Sequence, residues 1–472
     1  FNNDIMIKKL VFTIIAGATF FTSCDNYLDV KPYGRTIPST PEEFSALIHT
    51  HLNNIDEGST NLINNISRMS NFDMAGGDDF EASLTQQAGR SLPIYLGSLL
   101  TTSAYEPYTN LYKLINDCNI VIENMKSDGT SLSNEVLSTA HAMRGVAYYQ
   151  LMRLYCKAPD KDSLDKQLGV PLVTTFNMEA RPIRSTLQET INQVESDLKE
   201  AINHHNTNTL YIFTENVCKA YLTRLYWWTE QWDKALTLSK ELQSTYPLLS
   251  TTEYKDMISN PTSKPGNHII AAYARSTESN NSINLSLWRS AQYRPVSKRF
   301  INCFQNGEDT TDVRYSLSLD KERKLVKPFF CGMRGAELKL IEAECYAHLN
   351  QTENALKALN ELRKARISNV TDYTLTTLPD VVSTEKITVD AEGKALTKLM
   401  AAILNERRKE FFAEGDRMFE LKRNGAPEYY VLYNGLRYNN LKYMYTFPLP
   451  ESDIRINPQI IQNEGYKEVI SN

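Results

Sequence analysis

A mainly α-helical scaffold carrying long irregular insertions is the fold class that three observations predict. Apolar residues recur three and four apart, as in Tyr108, Leu111, Tyr112, Ile115, Cys118 and Ile122, which lines them along one face of a helix. Stretches of this kind come in neighbouring pairs joined by short turns. Residues 71–103 and 251–328 break the pattern: they are rich in Gly, Pro, Ser, Asn and Thr, show no sustained helical period, and read as loops and short strands. The 472 residues are 42% hydrophobic and 23% charged, with a formal charge of −5. That balance disfavours a disordered chain, a collagen and a polytopic membrane protein. With no basic stripe, the chain also lacks the footprint of a nucleic-acid binder.

In chain order, Lys8 and Lys9 follow a short lead (residues 1–5) and precede an apolar run over residues 10–18. A positive segment before an apolar run too short to span comfortably reads as a secretory signal. The run ends in Phe21-Thr22-Ser23-Cys24, which resembles a bacterial lipobox: cleavage before Cys24 and acylation of its thiol. Residues 1–23 are thus expected to be a signal peptide, 24–40 a lipidated linker and 41–472 one domain. Among the other cysteines no CxxC or metal-like spacing occurs. Cys118, Cys156, Cys218 and Cys345 lie in apolar-periodic segments and read as buried thiols. Cys303 and Cys331 lie in a more irregular stretch, where a disulfide between them is open.

Periodicity predicts a helix pair over residues 105–125 and 140–155 across the Gly129 loop, then pairs at 191–202 with 217–228 and at 338–349 with 355–362. Residues 406–421 predict a last long helix. Tyr226, Gln231, Ala235, Leu236 and Leu242 recur at the offsets of Tyr346, Gln351, Ala355, Leu356 and Leu362. Both sets place a small residue beneath a helix crossing and resemble a tetratricopeptide helix-turn-helix, with Pro247 closing the first.

The residues that could carry chemistry are few. Glu406, Glu410 and Glu414 stand at i, i+4 and i+8 on the predicted helix, and paired carboxylates are what glycoside hydrolysis requires. Such carboxylates flank a substrate, however, whereas these share a helix with Arg407, Arg408, Lys409 and Arg417. The row therefore reads as a structural ion-pair network of Glu406, Arg407, Glu410, Glu414 and Arg417. No GxSxG, HExxH, Walker A or GxGxxG pattern is present, and no catalytic residue, cofactor or metal is expected. The acidic group Asp73, Asp78, Asp79 and Glu81 misses the EF-hand spacing and reads as a solvated loop.

For binding, aromatic residues outside the helical period are the informative ones, because rings stack on the C–H faces of sugars while polar neighbours serve the hydroxyls. Trp288, with Arg289, Tyr293 and Arg294 beside it, supplies that mix in the second insertion. Phe80, Arg90, Tyr95 and Asp79 supply it in the first. A ring that plugs the scaffold is the alternative for Trp288. Trp227, Trp228 and Trp232 lie on the repeat and read as core.

Near its carboxy end the chain reads Asn405-Glu406-Arg407-Arg408-Lys409-Glu410-Phe411-Phe412-Ala413-Glu414-Gly415-Asp416-Arg417, then Phe447-Pro448-Leu449-Pro450, Asn457-Pro458 and Gln462-Asn463-Glu464-Gly465-Tyr466. Shorter pieces are Cys24-Asp25-Asn26-Tyr27-Leu28-Asp29, Tyr112 with Ile115 and Asn119, Arg144 with Tyr148, Gly169-Val170-Pro171-Leu172, Ser196-Asp197-Leu198, and Asn360-Glu361-Leu362-Arg363 with Arg366. In this order they resemble the SusD/RagB family of outer-membrane nutrient-binding lipoproteins. Tyr108, where many members carry Trp, and Asp453, where they tend to carry Glu, depart from the pattern. The resemblance implies a SusD-like helical scaffold whose two insertions approach each other to form the ligand surface. It also implies a lipid-anchored, surface-facing outer-membrane protein without enzymatic activity. Such a protein captures a glycan or oligosaccharide for a SusC-like TonB-dependent transporter, covering that β-barrel like a lid. Peptide capture, as in RagB-like members, is the alternative, and a glycan-processing enzyme a more distant one.

Overall fold

The computed structural model describes residues 38–56, 61–63, 71–81, 95–260, 266–273, 291, 294–305 and 307–467. Cys24, Arg90, Trp288, Arg289 and Tyr293 lie outside the described residues. The helices are α1 (Pro41–Asp56), α2 (Leu96–Ser103), α3 (Glu106–Asn124), α4 (Ser131–Tyr155), α5 (Leu187–Asn203), α6 (Glu215–Trp228), α7 (Trp232–Leu242), α8 (Thr251–Ser259), α9 (Lys298–Ile301), α10 (Glu308–Thr311), α11 (Val313–Ser318), α12 (Gly335–His348), α13 (Thr352–Lys364), α14 (Lys398–Glu410), α15 (Arg417–Arg423) and α16 (Glu451–Ile456). Six strands, β1 (Leu168–Pro171), β2 (Arg184–Thr186), β3 (His268–Tyr273), β4 (Phe330–Arg334), β5 (Tyr429–Tyr433) and β6 (Leu436–Asn440), pair as β1–β2, β3–β4 and β5–β6. All three pairings are antiparallel.

Helix starts follow from side chains that take up orphan backbone N–H groups. Thr130 caps α4 by accepting from the Ser133 amide, Thr186 and Glu189 form a capping box at α5, and Thr397 accepts from Met400 at α14. The same device puts helix into the second insertion, where loop was expected: Ser250 caps α8, Ser297 caps α9 and Asp312 caps α11. Helix α4 is buried on nearly every side, with α3 and α5 packed against it.

The two repeat hairpins, α6–α7 and α12–α13, turn identically. In each the amide of a glutamine donates to the carbonyl of the tyrosine five residues earlier, Gln231 to Tyr226 and Gln351 to Tyr346, both at 2.8 Å. The residue before each glutamine is left-handed, Glu230 at φ 60° and Asn350 at φ 58°. Ala235 and Ala355 are fully buried, so the small side chain lets the helices close. Trp227, Trp228 and Trp232 are buried, and the Trp227 indole donates to Glu344 at 2.8 Å.

Two expectations are corrected. Residues 406–421 are not one helix: α14 ends at Glu410, and Ala413 (φ 59°) and Gly415 (φ 71°) turn the chain before α15. The buried Lys327 ammonium donates to the Phe412 carbonyl at 2.7 Å and Arg334 to that of Glu410 at 2.8 Å, acceptors that a continuing helix would have used. Glu414 thus sits on the turn rather than on the helix stripe. Cys303 and Cys331 are both free and buried; the Cys303 thiol donates to the Arg299 carbonyl at 3.5 Å, and burial pushes it up to about 12.

One buried cation gives a pH signature. Lys422 donates to the Arg153 carbonyl at 2.6 Å, and burial, with the Arg153 charge adding to it, pulls its ammonium from 10.5 down to about 7. The unfolded chain therefore holds this proton more tightly than the folded one, so Lys422 makes stability rise as pH climbs from about 7 towards 10.5. Urea titrations across that window are expected to show the rise in the parent and a smaller one in Lys422→Met. Equal slopes would refute the assignment.

Candidate ligand surface

The two insertions meet at their roots. Phe80 and Val296 form an antiparallel bridge, flanked by hydrogen bonds from the Glu81 amide to the Pro295 carbonyl (2.9 Å) and from the Ser297 amide to the Asp79 carbonyl (2.7 Å). The Glu81 carboxylate also accepts from the Lys298 amide at the start of α9, at 3.1 Å. In sequence, Arg90 follows this junction within the first insertion, and Trp288, Arg289 and Tyr293 precede it within the second.

The bridge turns Phe80 and Asp79 inward, which corrects their expected place at the ligand. The Phe80 ring stacks on Phe412 with centroids 5.5 Å apart, and Phe412 stacks on Phe300 at 4.1 Å, making an internal pillar. Asp78 and Asp79 are buried rather than solvated: Arg408 Nε donates to Asp79 at 2.7 Å and Arg417 Nε to Asp78 at 2.7 Å. Burial pushes the Asp78 carboxyl up, but the guanidiniums of Arg408 and Arg417 outweigh it and hold it below the usual carboxylate range. Among the described residues Asp73 accepts a hydrogen bond from the Gly415 amide, at 2.9 Å, and burial raises it well above that range.

Tyr95 stays half-buried, its ring 5.3 Å from that of Tyr438, while Asn440 accepts from the Leu96 amide at 2.8 Å. This joins the first insertion to the β5–β6 hairpin, which the sequence reading passes over. Its signal is Asn434-Gly435 between runs of aromatic and aliphatic residues, the commonest hairpin turn; both residues are left-handed, at φ 50° and 73°. The hairpin exposes Tyr430, Leu432 and Leu436, with the Arg437 guanidinium 4.0 Å from the Tyr430 ring centroid.

Below the junction lies the carboxylate row. Glu406 receives Arg314 at 2.6 Å, Lys409 at 2.7 Å and Arg363 at 3.0 Å. Glu410, 0% exposed, receives Arg334 at 2.7 Å, Arg366 at 2.9 Å and Arg314 at 3.3 Å. Glu414 binds Lys327 and Arg334, while Arg407 binds Asp416. Each of these carboxylates is engaged by cations, and Glu406, Glu410 and Glu414 are buried. Beside it, between α9, the 379–387 loop and α14, opens a cavity of about 210 Å³.

Residues 320–466 match the SusD family model, and residues 26–227 match a second model described as starch-binding and associating with the outer membrane. The chain belongs to the SusD family. It is 24% identical over 437 residues to SusD-like protein P38 of Formosa agariphila, across 78% of this chain and 80% of that protein. A putative sugar-binding protein of Bacteroides vulgatus shares its fold at a TM-score of 0.66 and 20% identity, covering 92% of this chain and 100% of that one. A laminarin-binding SusD-like protein superposes at 0.57 and 15% identity, covering 90% and 99%. In this SusD-family chain the tail motif closes the scaffold on itself. Asn463 Nδ2 donates to the carbonyls of Tyr155 (2.8 Å) and Phe447 (2.7 Å), and Arg184 donates to Asn463 Oδ1 at 2.8 Å. Among the described residues no helix is long and apolar enough to cross a membrane.

Proposed function

We propose that this SusD-family protein is a lipid-anchored, surface-facing outer-membrane protein. It captures a carbohydrate where its two insertions meet and hands it, unaltered, to a SusC-like TonB-dependent transporter. The observation that carries this reading is the Phe80–Val296 junction. It brings together the two segments whose continuations hold Arg90 on one side and Trp288, Arg289 and Tyr293 on the other, a mix of ring and guanidinium suited to sugar C–H faces and hydroxyls. Tyr95 stands on the first segment beside the exposed hairpin. The sugar-binding and laminarin-binding descriptions of fold relatives support the ligand class. The burial of Glu406 and Glu410 among cations that hold them charged supports binding without hydrolysis.

The test is Trp288→Ala, followed by isothermal titration against a glycan panel with the melting temperature as control. A ring that stacks on sugar is expected to cost about 2 kcal/mol of binding or more on truncation and to leave the melting temperature in place. A large fall in stability would make the ring core. Saturable binding to peptides, with none to any glycan, would replace the carbohydrate by a peptide ligand.

A further inference from the structure

The two repeat hairpins differ at one position that their shared turn does not explain. Where α12–α13 places Asn350, a residue that takes left-handed backbone readily, α6–α7 places Glu230 at φ 60°, a conformation glutamate adopts less easily. Nothing inside the chain compensates for it: the Glu230 carboxylate is half-buried and makes no hydrogen bond or ion pair among the described residues. Burial pushes it up to about 7. Arg423 and Lys161 are near enough to pull it back in part, yet neither bonds to it, because Arg423 holds Glu344 at 2.6 Å and Lys161 holds Glu392 at 3.1 Å.

Glu230 lines a cavity of about 880 Å³ that shares no residue with the Phe80–Val296 junction. The 157–167 loop, the 390–394 turn, the end of α15 and residues 442–446 form its walls, with Tyr443 half-buried among them. The other carboxylates there are engaged or in solvent. Glu392 also accepts from the Trp232 indole at 2.8 Å, Glu464 takes Lys157 at 2.5 Å, and Asp390, Asp160 and Glu428 accept backbone amides at 2.9, 3.1 and 3.0 Å. Asp162 is exposed. The cations are engaged as well: besides Lys157, Lys161 and Arg423, Lys394 holds Glu392 and Lys422 the Arg153 carbonyl, while Lys442 is exposed. What this cavity lacks is a positive charge at Glu230.

We propose that this cavity is a second ligand site that binds an amino sugar, its ammonium held by Glu230 and its ring against Tyr443. That a saccharide carries the ammonium rests on the carbohydrate reading above; the site itself is separate from the junction. A hydrogen bond from an ammonium to a carboxylate is about twice as strong as a neutral one, and a cavity of this size lies within the range of small-ligand sites. A strained residue kept where its twin is relaxed is the mark of a binding role that opposes stability.

Titrating the full chain with a glucosamine tetramer and with the N-acetylated tetramer of equal length, at a pH where the free amines are protonated, tests this. At low salt the glucosamine tetramer is expected to bind at least about tenfold more tightly, with the preference fading as salt rises. Glu230→Asn gives the turn the residue of its twin, and Glu230→Gln keeps the side-chain length without the charge. Each should remove that preference, leave affinity for the N-acetylated tetramer unchanged and not lower the melting temperature. A lower melting temperature in Glu230→Asn would make the carboxylate a structural charge at the start of α7 and overturn the proposal, as would a preference that survives both substitutions. Equal affinity for the two tetramers overturns the amino sugar and leaves the carbohydrate reading standing. A lysine-bearing peptide that binds through Glu230 in place of both tetramers overturns the saccharide as carrier, while the junction reading keeps its own test in Trp288→Ala. No binding of any of these probes overturns the site.

Discussion

Glu410→Gln lowers the thermal unfolding midpoint and leaves ligand affinity per folded molecule intact. The wild-type carboxylate stands between Arg366, Arg334 and Arg314 with no exposure to solvent. Glutamine keeps the size and removes the charge, so three guanidiniums then face one another in the core. Breaking one side of a buried ionic network costs about 3–5 kcal/mol, which scanning calorimetry resolves readily. The pH dependence has a definite sign. Burial alone would raise the Glu410 carboxyl, but the three guanidiniums hold it well below 4.5. Its stabilisation is therefore complete above the unfolded value and lost as pH falls below it, and the substituted protein should lose less across that acid window. An unmoved midpoint would contradict the buried network. Loss of a hydrolytic activity without unfolding would instead revive the enzyme reading.

Cys24→Ala abolishes incorporation of labelled fatty acid and leaves unlipidated precursor. The thiol is the only chemical handle in Phe21-Thr22-Ser23-Cys24 that can form a thioether to diacylglycerol, and alanine offers no nucleophile. Several acyl chains, at about 0.8 kcal/mol per buried methylene, hold a protein at a bilayer essentially permanently, so the variant should also leave the membrane fraction. Labelling that persists in the alanine variant would refute the lipobox. Protease treatment of intact cells then distinguishes a surface-facing from an inward-facing anchor.

Much of the scaffold was legible because helical burial repeats every three or four residues and so writes itself into neighbouring positions. The repeat turns at Gln231 and Gln351, the buried tryptophans and the paired helices are all local patterns of that kind. The 406–421 break was not legible, since what ends α14 is the Lys327 ammonium and the Arg334 guanidinium reaching in from distant chain. The inward turn of Phe80 and Asp79 was equally hidden. In sequence, a Phe and an Asp in a Gly-rich segment suit a binding loop; the pairing partner at Val296, more than two hundred residues away, sets which way they point.

By itself, then, the sequence determined the helical class, the order of the helix pairs and the family resemblance, all of which depend on residues near one another in the chain. Tertiary structure alone decided which separate motifs meet. Asn119, Arg144 and Asp197 close one ion-pair cluster, at 2.8 Å from Arg144 to Asn119 and 2.6 Å from Arg144 to Asp197. Arg363 and Arg366 meet the Glu406–Glu410 row, and the Arg299 side of the cavity faces the 379–387 loop. The physical reason is that a buried charge must find its counter-charge in space, and spacing along the chain carries no record of which distant segment supplies it.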